Sequence, residues 1–378
     1  MKILINTSNL YVGGGAQVAI SFINELKKVE KEHEYYIFLS PVVNRQIEQS
    51  TFPMNFNFYL IEKSPSPRKT RKRIVAQLDS LETQIKPDVV FSVFGPSYWR
   101  PVSKHLLGFA DPWVLNKTSS FYNSLSMLKQ LKLHMIRLYK SYYVKRDADY
   151  FVIETEDGKK KLSDVANRDL EKIFVVGNTY SSVFDDNSFL NENNEFYVQL
   201  PEKEENEFRL MLISHNHLHK NIKIIKKIIP LLDNYSVKFV LTIDDSSFQE
   251  LFQSGNEKII NIGPIAQKSC PSIYSQSDAL FLPTFLEVFS ASYPEAMKSG
   301  IPILTSDLSF AKDICQDAAL YFDPLNPEDI AKKIKMLVDD KSLQVELVRL
   351  GSKRVQEFET AQSRAEKYIR ICEQIVSI

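Results

Sequence analysis

Short apolar runs alternate with longer amphipathic segments along most of this 378-residue chain. Helical spacing is found over 16–28 and 71–85 in the first half. Strands that alternate with helices are typical of a parallel, doubly wound sheet. The apolar runs that predict strands in this half are KILIN (2–6), YYIFL (35–39), DVVFSV (88–93), HLLGFA (105–110), YFVIE (150–154) and KIFVVG (172–177).

The alternation is interrupted at residues 185–207, which are rich in Asn and Glu and predict a linker between two domains. We therefore predict an α/β protein with two Rossmann-like, doubly wound domains, 1–184 and 208–360, that face a central cleft. A C-terminal helix, 361–378, is expected to cross back to the first domain. After the linker, strands are predicted at 209–214, 238–243, 258–263, 279–284, 302–306 and 319–323, and helices at 221–232, from Pro294, at 327–339, 341–357 and 361–376.

Positive charge is concentrated in the first half, although the whole chain is neutral. Residues 1–180 contain 26 Lys and Arg against 18 Asp and Glu, whereas the remainder contains 21 against 29. The segment 114–146 has seven basic residues, several aromatic residues and no acid. Such surfaces attract the phosphates of nucleic acids or anionic membranes, and a solvated helix face is the simpler alternative. The predicted acceptor or membrane surface comprises Arg68, Lys69, Arg71, Lys72, Arg73, Lys129, Lys132 and Arg137.

Composition bounds the class of protein. With 44% apolar and 25% charged residues, a globular, soluble chain is expected. No apolar run is long enough for a transmembrane helix, and the N-terminus is too short and polar for a signal peptide. Cys270, Cys315 and Cys372 are far apart and lack metal-ligand spacing. These features predict a cytoplasmic location.

The turn after the first predicted strand contains Gly13, Gly14 and Gly15. Glycines allow close approach of the backbone to a ligand, and the helix that follows offers unpaired amide groups. The spacing differs from the dinucleotide fingerprint and from the P-loop. A tight strand-to-helix turn is the alternative.

The equivalent turn of the second half reads HNHLHKN. His215, His217 and His219 alternate and raise the possibility of zinc, but no carboxylate or Cys stands at ligand spacing, so we expect no metal. Lys220 at a helix start is better suited to a diphosphate. A surface lysine in the first turn is the alternative.

The segment 287–307 carries two glutamates eight positions apart. Pro294 favours a helix that starts at this residue and places Glu295 in the first turn, where the helix dipole stabilises a carboxylate. Glu287 follows a predicted strand, at the edge where ligands of parallel sheets bind, and its oxygens suit sugar hydroxyls.

This E-x(7)-E spacing resembles the signature of retaining glycosyltransferases of family four, also called group one, which have the two-domain GT-B fold. Further matches follow in the same order along nearly the whole chain. The resemblance is to the bacterial surface-polysaccharide type. The other matching segments are GGGAQVA (13–19), ADYFVIETE (148–156), VVGNTYSSVF (175–184), HKN (219–221), 261–284 and 317–334.

The resemblance implies a role for each matched residue. Glu287 would contact hydroxyls of the donor sugar, and Glu295 would bind the ribose. Lys220 would neutralise the leaving diphosphate, with His215 at the position of a family arginine. The family needs no metal or other cofactor, and its donor would be a UDP- or GDP-linked sugar. The other donor contacts would come from Gly14, Gly15, Ile265, Phe289, Ser290 and Ala291.

Several positions depart from the family pattern. Val288 and Ser290 replace glycines, which implies a less close approach of the backbone to the donor. His215 carries positive charge only when it is protonated. Ala110 replaces a histidine that contacts the donor sugar in many members, unless His105 takes that role.

Together, these features predict a retaining, metal-independent glycosyltransferase. Its acceptor would be a lipid-linked or soluble glycan in capsule, O-antigen or related polysaccharide synthesis. The enzyme would be cytoplasmic or peripheral on the anionic inner membrane face. The alternatives are a catalytically silent nucleotide-sugar-binding subunit and a nucleotide-sugar epimerase of the same fold. A nucleic-acid partner is not expected, because recognition motifs are absent.

Overall fold

The computed structural model describes residues 1–11, 14–29, 32–117, 121–122, 125–253 and 256–378. These form two compact units, one of Met1–Asn178 with Glu359–Ile378 and one of Thr179–Phe358. Each unit has a parallel sheet flanked by helices, which confirms the predicted α/β class. Among the described residues, no helix is both long and apolar enough to cross a membrane.

The first unit has a sheet of seven strands in its described part, in the order β3-β2-β1-β4-β5-β6-β7. The strands are β1 (Lys2–Asn6), β2 (Glu34–Leu39), β3 (Phe56–Leu60), β4 (Val89–Ser92), β5 (Lys104–Gly108), β6 (Tyr150–Ile153) and β7 (Ile173–Val175). The α-helices are α1 (Gly14–Glu25), α2 (Pro41–Asn44), α3 (Arg68–Ile85), α4 (Pro112–Leu115), α5 (Met127–Asp147) and α6 (Glu156–Ala166). The edge strand β3 was not predicted, because its side chains are at most half-buried and give no clear apolar pattern.

The second unit has the order β10-β9-β8-β11-β12-β13 in the part that the structure describes. Its strands are β8 (Phe208–Leu212), β9 (Val237–Leu241), β10 (Ile259–Asn261), β11 (Ala279–Leu282), β12 (Ile303–Ser306) and β13 (Leu320–Phe322), so every strand predicted here is present. The α-helices are α7 (Ile225–Ile228), α8 (Asp245–Phe252), α9 (Cys270–Ser275), α10 (Ser292–Ser299), α11 (Ser309–Cys315), α12 (Pro327–Asp339) and α13 (Lys341–Val355). The helix predicted over 221–232 is instead α7 between two 3₁₀ turns, because Pro230 lacks an amide hydrogen.

The segment predicted as a linker, 185–207, instead packs on the second unit. The Val198 amide donates to Ser272 Oγ at 3.1 Å, and the amide of the buried Leu200 donates to Gln276 Oε1 at 2.9 Å. Its polar composition reflects an exposed surface with backbone groups paired to α9. The chain passes between the units after Asn178 and again after Phe358, whereas the sequence placed these boundaries at 184 and 360.

A last helix, α14 (Ala361–Ser377), belongs to the first unit. The Tyr368 ring packs on Phe22 and Phe91, with centroids 5.2 and 5.0 Å apart. The buried Arg364 donates a hydrogen bond to Asn178, the last residue of the N-terminal segment of this unit. This helix therefore supplies part of the apolar core of the first unit.

Candidate active site

The second sheet reverses its strand order between β8 and β11, and the loops after these two strands meet at the carboxyl edge. The His219 carbonyl, after β8, accepts hydrogen bonds from the Thr284 hydroxyl (3.0 Å) and the Phe285 amide (2.8 Å), both after β11. Asn221 ends the first loop in a left-handed conformation with φ 55°. These contacts fix both loops at a reversal of strand order, which is where parallel α/β sheets bind ligands.

Lys220 and Glu287 form an ion pair at this reversal. Lys220 ends a 3₁₀ turn after β8, and Glu287 lies in the loop after β11. Their side chains keep 18% and 11% exposure, so a ligand can reach both while water is partly excluded. Partial burial strengthens interactions between charges. The structure therefore brings into contact two side chains that the sequence predicts as catalytic.

The third residue predicted as catalytic, His215, lies in the same loop and is exposed. Its ring centroid is 6.0 Å from that of His217, which stacks on His219 at 5.6 Å. Burial, reinforced by Lys220, lowers the pKa of His219 to about 3, and burial also lowers the pKa of His217. Both rings are thus neutral at pH 7. Among the described residues, no three His, Cys, Asp or Glu are placed to hold a metal ion.

Glu295 lies in α10, which begins at Ser292 rather than at Pro294. Pro294 is still in the first turn, where amide hydrogens have no partner within the helix, so the earlier start costs little. The Glu295 carboxylate is buried and accepts a hydrogen bond of 3.0 Å from Tyr274 Oη. Burial raises the pKa of Glu295 to about 7. Glu295 is therefore an acceptor that changes charge near neutral pH, and Tyr274 is a partner that the sequence did not reveal.

The backbone between Glu287 and α10 is held by its own hydrogen bonds. The Ser290 carbonyl accepts from the Tyr293 amide at 3.2 Å, and the Ala291 carbonyl accepts from the Glu295 amide at 3.0 Å. Val288 and Ser290 are both buried, and neither has a positive φ. Glycine is therefore not required for the backbone conformation at these two positions. The side chains of Val288 and Ser290 change only how much room is left next to the loop.

Two other predicted donor contacts are apolar. The Phe289 ring packs edge-on against Phe358, with centroids 6.1 Å apart. Ile265 is half-buried against the core, two residues after Gly263, which has φ 74°. Both side chains are partly used for packing, so each presents only part of its surface to a ligand.

In the first unit, Gly14 and Gly15 open α1 beside the reversal between β1 and β4, and Gly13 lies outside the described residues. A Cβ on Gly14 would meet nothing within 4 Å, whereas one on Gly15 would lie 3.3 Å from the Phe94 ring after β4. Gly15 thus serves close packing of the helix start. Gly14 leaves an open approach to the amide groups of α1.

His105 does not occupy the place of the missing family histidine. It is buried in β5, where Nε2 lies 2.8 Å from Ser92 Oγ and Nδ1 contacts the Asp147 carbonyl. Burial lowers its pKa to about 4. The residue after Ala110, Asp111, accepts from the backbone at the start of α4. His105 is thus enclosed in the sheet and cannot reach a ligand at the sheet edge.

The basic residues predicted for an acceptor or membrane fall into two groups. Arg71 is used inside the unit, where Nη2 donates to Tyr139 Oη at 2.7 Å and Nη1 donates to Tyr143 Oη. Arg137 Nε donates to the Trp113 carbonyl at 3.2 Å. Those two arginines join helices rather than face solvent. The exposed members are Arg68, Lys69, Lys72, Arg73, Lys129 and Lys132.

Comparison with known proteins finds similarity in part of the chain. Residues 194–354 match the family model for glycosyl transferases group 1. A stretch of 101 residues is 26% identical to the O-antigen chain mannosyltransferase B of Escherichia coli, and it covers 26% of this chain and 26% of that protein.

Two solved structures resemble the whole chain. A glycosyltransferase from Rickettsia africae is similar over 99% of this chain and 98% of its own, with 15% identity and a TM-score of 0.70. Anabaena HepE in complex with UDP-glucose covers 100% of both chains, with 13% identity and a TM-score of 0.69. The resemblance expected from the sequence is confirmed: the chain has the GT-B fold of these glycosyltransferases, and its residues 194–354 match the family model for glycosyl transferases group 1.

Proposed function

We propose that this protein transfers a sugar from a UDP- or GDP-linked donor to a hydroxyl of a glycan acceptor, with retention of configuration and without a metal ion. The observation that carries the proposal is the Lys220–Glu287 pair at the strand-order reversal of a group 1 domain. A cation there suits the donor diphosphate, and the adjacent carboxylate suits sugar hydroxyls. The complex of HepE with UDP-glucose supports a nucleotide sugar as the donor.

In the proposed reaction, the bond between the anomeric carbon and the diphosphate oxygen breaks, and its electron pair stays on the diphosphate. Lys220 offsets that added charge, assisted by His215 when it is protonated. The acceptor oxygen bonds to the anomeric carbon on the same face and passes its proton to the departing phosphate oxygen. Glu287 positions the sugar through its hydroxyls, and Glu295 accepts from the ribose.

The acceptor is proposed to be a lipid-linked glycan of an O-antigen or related surface polysaccharide, at the inner face of the cytoplasmic membrane. The E. coli relative is named for the O-antigen chain, which supports this class of product. Exposed Lys69, Lys72 and Arg73 of α3 and Lys129 and Lys132 of α5 suit anionic headgroups. A soluble glycan is the other acceptor class.

A catalytically silent nucleotide-sugar-binding protein is the second candidate. The ion pair itself favours it, because Lys220 is engaged by Glu287 and meets a diphosphate only when that contact opens. The buried Val288 also narrows the space beside the loop. Such a protein would bind the donor without turnover.

The test is nucleotide release from UDP-glucose, UDP-N-acetylglucosamine and GDP-mannose, with vesicles that contain lipid-linked acceptor. Lys220→Ala and Glu287→Gln should each lower kcat by roughly 100-fold or more, because each removes a charged contact to the reacting groups. Lys203→Ala is the matched control, since it removes an ion pair with Asp278 (2.7 Å) at the opposite edge of the same sheet.

Three outcomes separate the hypotheses. Loss of turnover in both site variants with a normal control supports the transferase. Turnover that Lys220→Ala and Glu287→Gln leave unchanged contradicts the site. Donor binding by the wild type without turnover on any donor favours the silent protein.

A further inference from the structure

The outer face of α5 is apolar. The positions 127, 131, 135, 138 and 142 are three or four residues apart, which places their side chains in one row along the helix. This row, bordered by Leu128, is called the α5 stripe below. Its members are strongly exposed: Met127 84%, Leu128 81%, Leu131 59%, Met135 58%, Leu138 52% and Tyr142 59%.

The stripe does not belong to the core of the first unit. The buried residues of α5 are Tyr143, Val144 and Asp147, which lie on the other side of the helix. A surface helix ordinarily presents its apolar face to the core and its charged face to water. Here the outward face is apolar in its centre, and contiguous exposed apolar patches mark interaction sites.

Cations border the stripe. Lys132 lies beside it and Lys145 lies at its C-terminal end, and both are exposed. No acid occurs from 114 to 146, and Asp147 is buried and paired with Arg146. Neighbouring α3, held to α5 through Arg71, adds exposed Lys69, Lys72 and Arg73.

The charges around the α5 stripe indicate which partner would bind there. A second copy of the chain would bring lysines against lysines, and like charges at close range are unfavourable. An anionic lipid surface supplies both complements, because headgroup phosphates pair with the lysines while the acyl region accepts the apolar side chains. Basic residues beside an apolar face are typical of helices that lie in a membrane interface.

We propose that α5 lies in the plane of an anionic lipid bilayer, with the α5 stripe inserted at the boundary between headgroups and acyl chains. This inference rests on the membrane part of the proposed function and not on sugar transfer. It predicts binding that survives salt: purely electrostatic attachment is screened at high ionic strength, whereas burial of apolar side chains is not.

The first test is sedimentation with vesicles of phosphatidylglycerol and phosphatidylcholine at 0.1 and 0.5 M NaCl. Wild-type protein should remain bound at the higher salt. Leu131→Ser with Met135→Ser should lower vesicle affinity by roughly 100-fold, since each removes an apolar side chain that the bilayer would bury. The matched control is Val345→Ser with Met336→Ser, two exposed apolar residues of the second unit, which should bind like wild type.

The second test reports insertion directly. The native cysteines Cys270, Cys315 and Cys372 are all buried, so a new surface cysteine can be labelled selectively. A nitrobenzoxadiazole label on Leu131→Cys should shift its emission to the blue with anionic vesicles and be quenched by brominated acyl chains. The same label on Val345→Cys should do neither.

Equal vesicle affinity of the stripe variant and wild type would overturn the insertion and leave only electrostatic attachment. Absence of vesicle binding by wild type, or a dimer that the stripe variant converts to a monomer, would also overturn it. Failure of the proposed function is distinguishable, because wild type would then still bind vesicles while donor turnover was either absent or left unchanged by Glu287→Gln. Because the stripe variants leave the donor site intact, their turnover on a soluble acceptor should equal that of wild type.

Discussion

Tyr274 Oη donates a 3.0 Å hydrogen bond to Glu295 inside the second unit, and both side chains are buried. Burial raises the pKa of Glu295 to about 7 and raises that of Tyr274 as well. One neutral donor offsets only part of the cost of burying a carboxylate. The proposed ribose acceptor is therefore protonated below neutral pH and charged above it.

The pH dependence of stability follows from this shift. Since the pKa of Glu295 rises from 4.5 to about 7, the native state keeps a proton that the unfolded chain loses in that window. The stabilisation that this proton gives to the native state is complete below pH 4.5 and is lost as the pH rises through 7. The difference in free energy of unfolding between Glu295→Gln and wild type should therefore shift by about 2–3 kcal/mol in favour of the variant from pH 5 to pH 8.

Urea unfolding followed by circular dichroism at both pH values measures this gain. Tryptophan fluorescence identifies the transition of the first unit, because both tryptophans, Trp99 and Trp113, lie there. Glu202→Gln, an exposed carboxylate, is the control and should show no pH-dependent difference. A constant difference between Glu295→Gln and wild type would contradict the raised pKa.

The Lys220–Glu287 contact predicts opposite effects on product binding and on turnover. If Lys220 receives the diphosphate, Glu287 competes with it in the free protein. Glu287→Gln should then tighten binding of the free nucleoside diphosphate by roughly 3- to 10-fold, because it removes the competing charge. Lys220→Ala should weaken the same binding by roughly 10-fold or more. Calorimetry with UDP and GDP measures both, and weaker binding by Glu287→Gln would reject the competition.

The sequence predicts a strand or helix well where the apolar residues of that element form a clear pattern. Every strand of the second sheet was anticipated, because its buried runs are nearly continuous in apolar residues. The edge strand β3 and the broken helix around Pro230 were not, since half-burial and a missing amide hydrogen weaken the periodic signal. The start of α10 was misplaced because a proline fits any position of a first turn.

The sequence proposes the residues of the candidate site but does not give their geometry. Lys220 and Glu287 follow strands β8 and β11, and only the strand order makes these neighbours. The bond from Tyr274 to Glu295 joins α9 to α10 and leaves no spacing signature. For α5, the sequence shows apolar and basic residues, but which face the core covers depends on tertiary packing.

Arg71 shows how a basic block divides between packing and solvent. Its guanidinium bonds to Tyr139 and Tyr143 and lies 4.9 Å from the Tyr98 ring centroid. Arg71→Ala should lower the free energy of unfolding by about 2–3 kcal/mol, through lost hydrogen bonds and cation–π contact. Lys72→Ala, next along α3 and exposed, should change it by less than about 0.5 kcal/mol.

Urea unfolding followed by tryptophan fluorescence reads the first unit and so compares these two variants. Vesicle binding at low salt should rank the two variants the other way. Lys72→Ala should bind vesicles more weakly than wild type, and its loss should exceed that of Arg71→Ala. If the stability of Arg71→Ala equals that of Lys72→Ala, the arginine does not join α3 to α5.

The packing of α14 leads us to expect that this helix stabilises the first unit. The buried Tyr368 ring packs on both Phe22 and Phe91, which also contact each other. Its removal would leave a cavity beside these two rings. Tyr368→Ala should therefore cost about 3–5 kcal/mol, a loss typical of a large aromatic residue in a core. Gln374→Ala, exposed on the same helix, is the control and should be nearly neutral. Tryptophan fluorescence during urea unfolding should show the midpoint fall for Tyr368→Ala alone, and an unchanged midpoint would mean that the stability of the first unit does not depend on the Tyr368 ring.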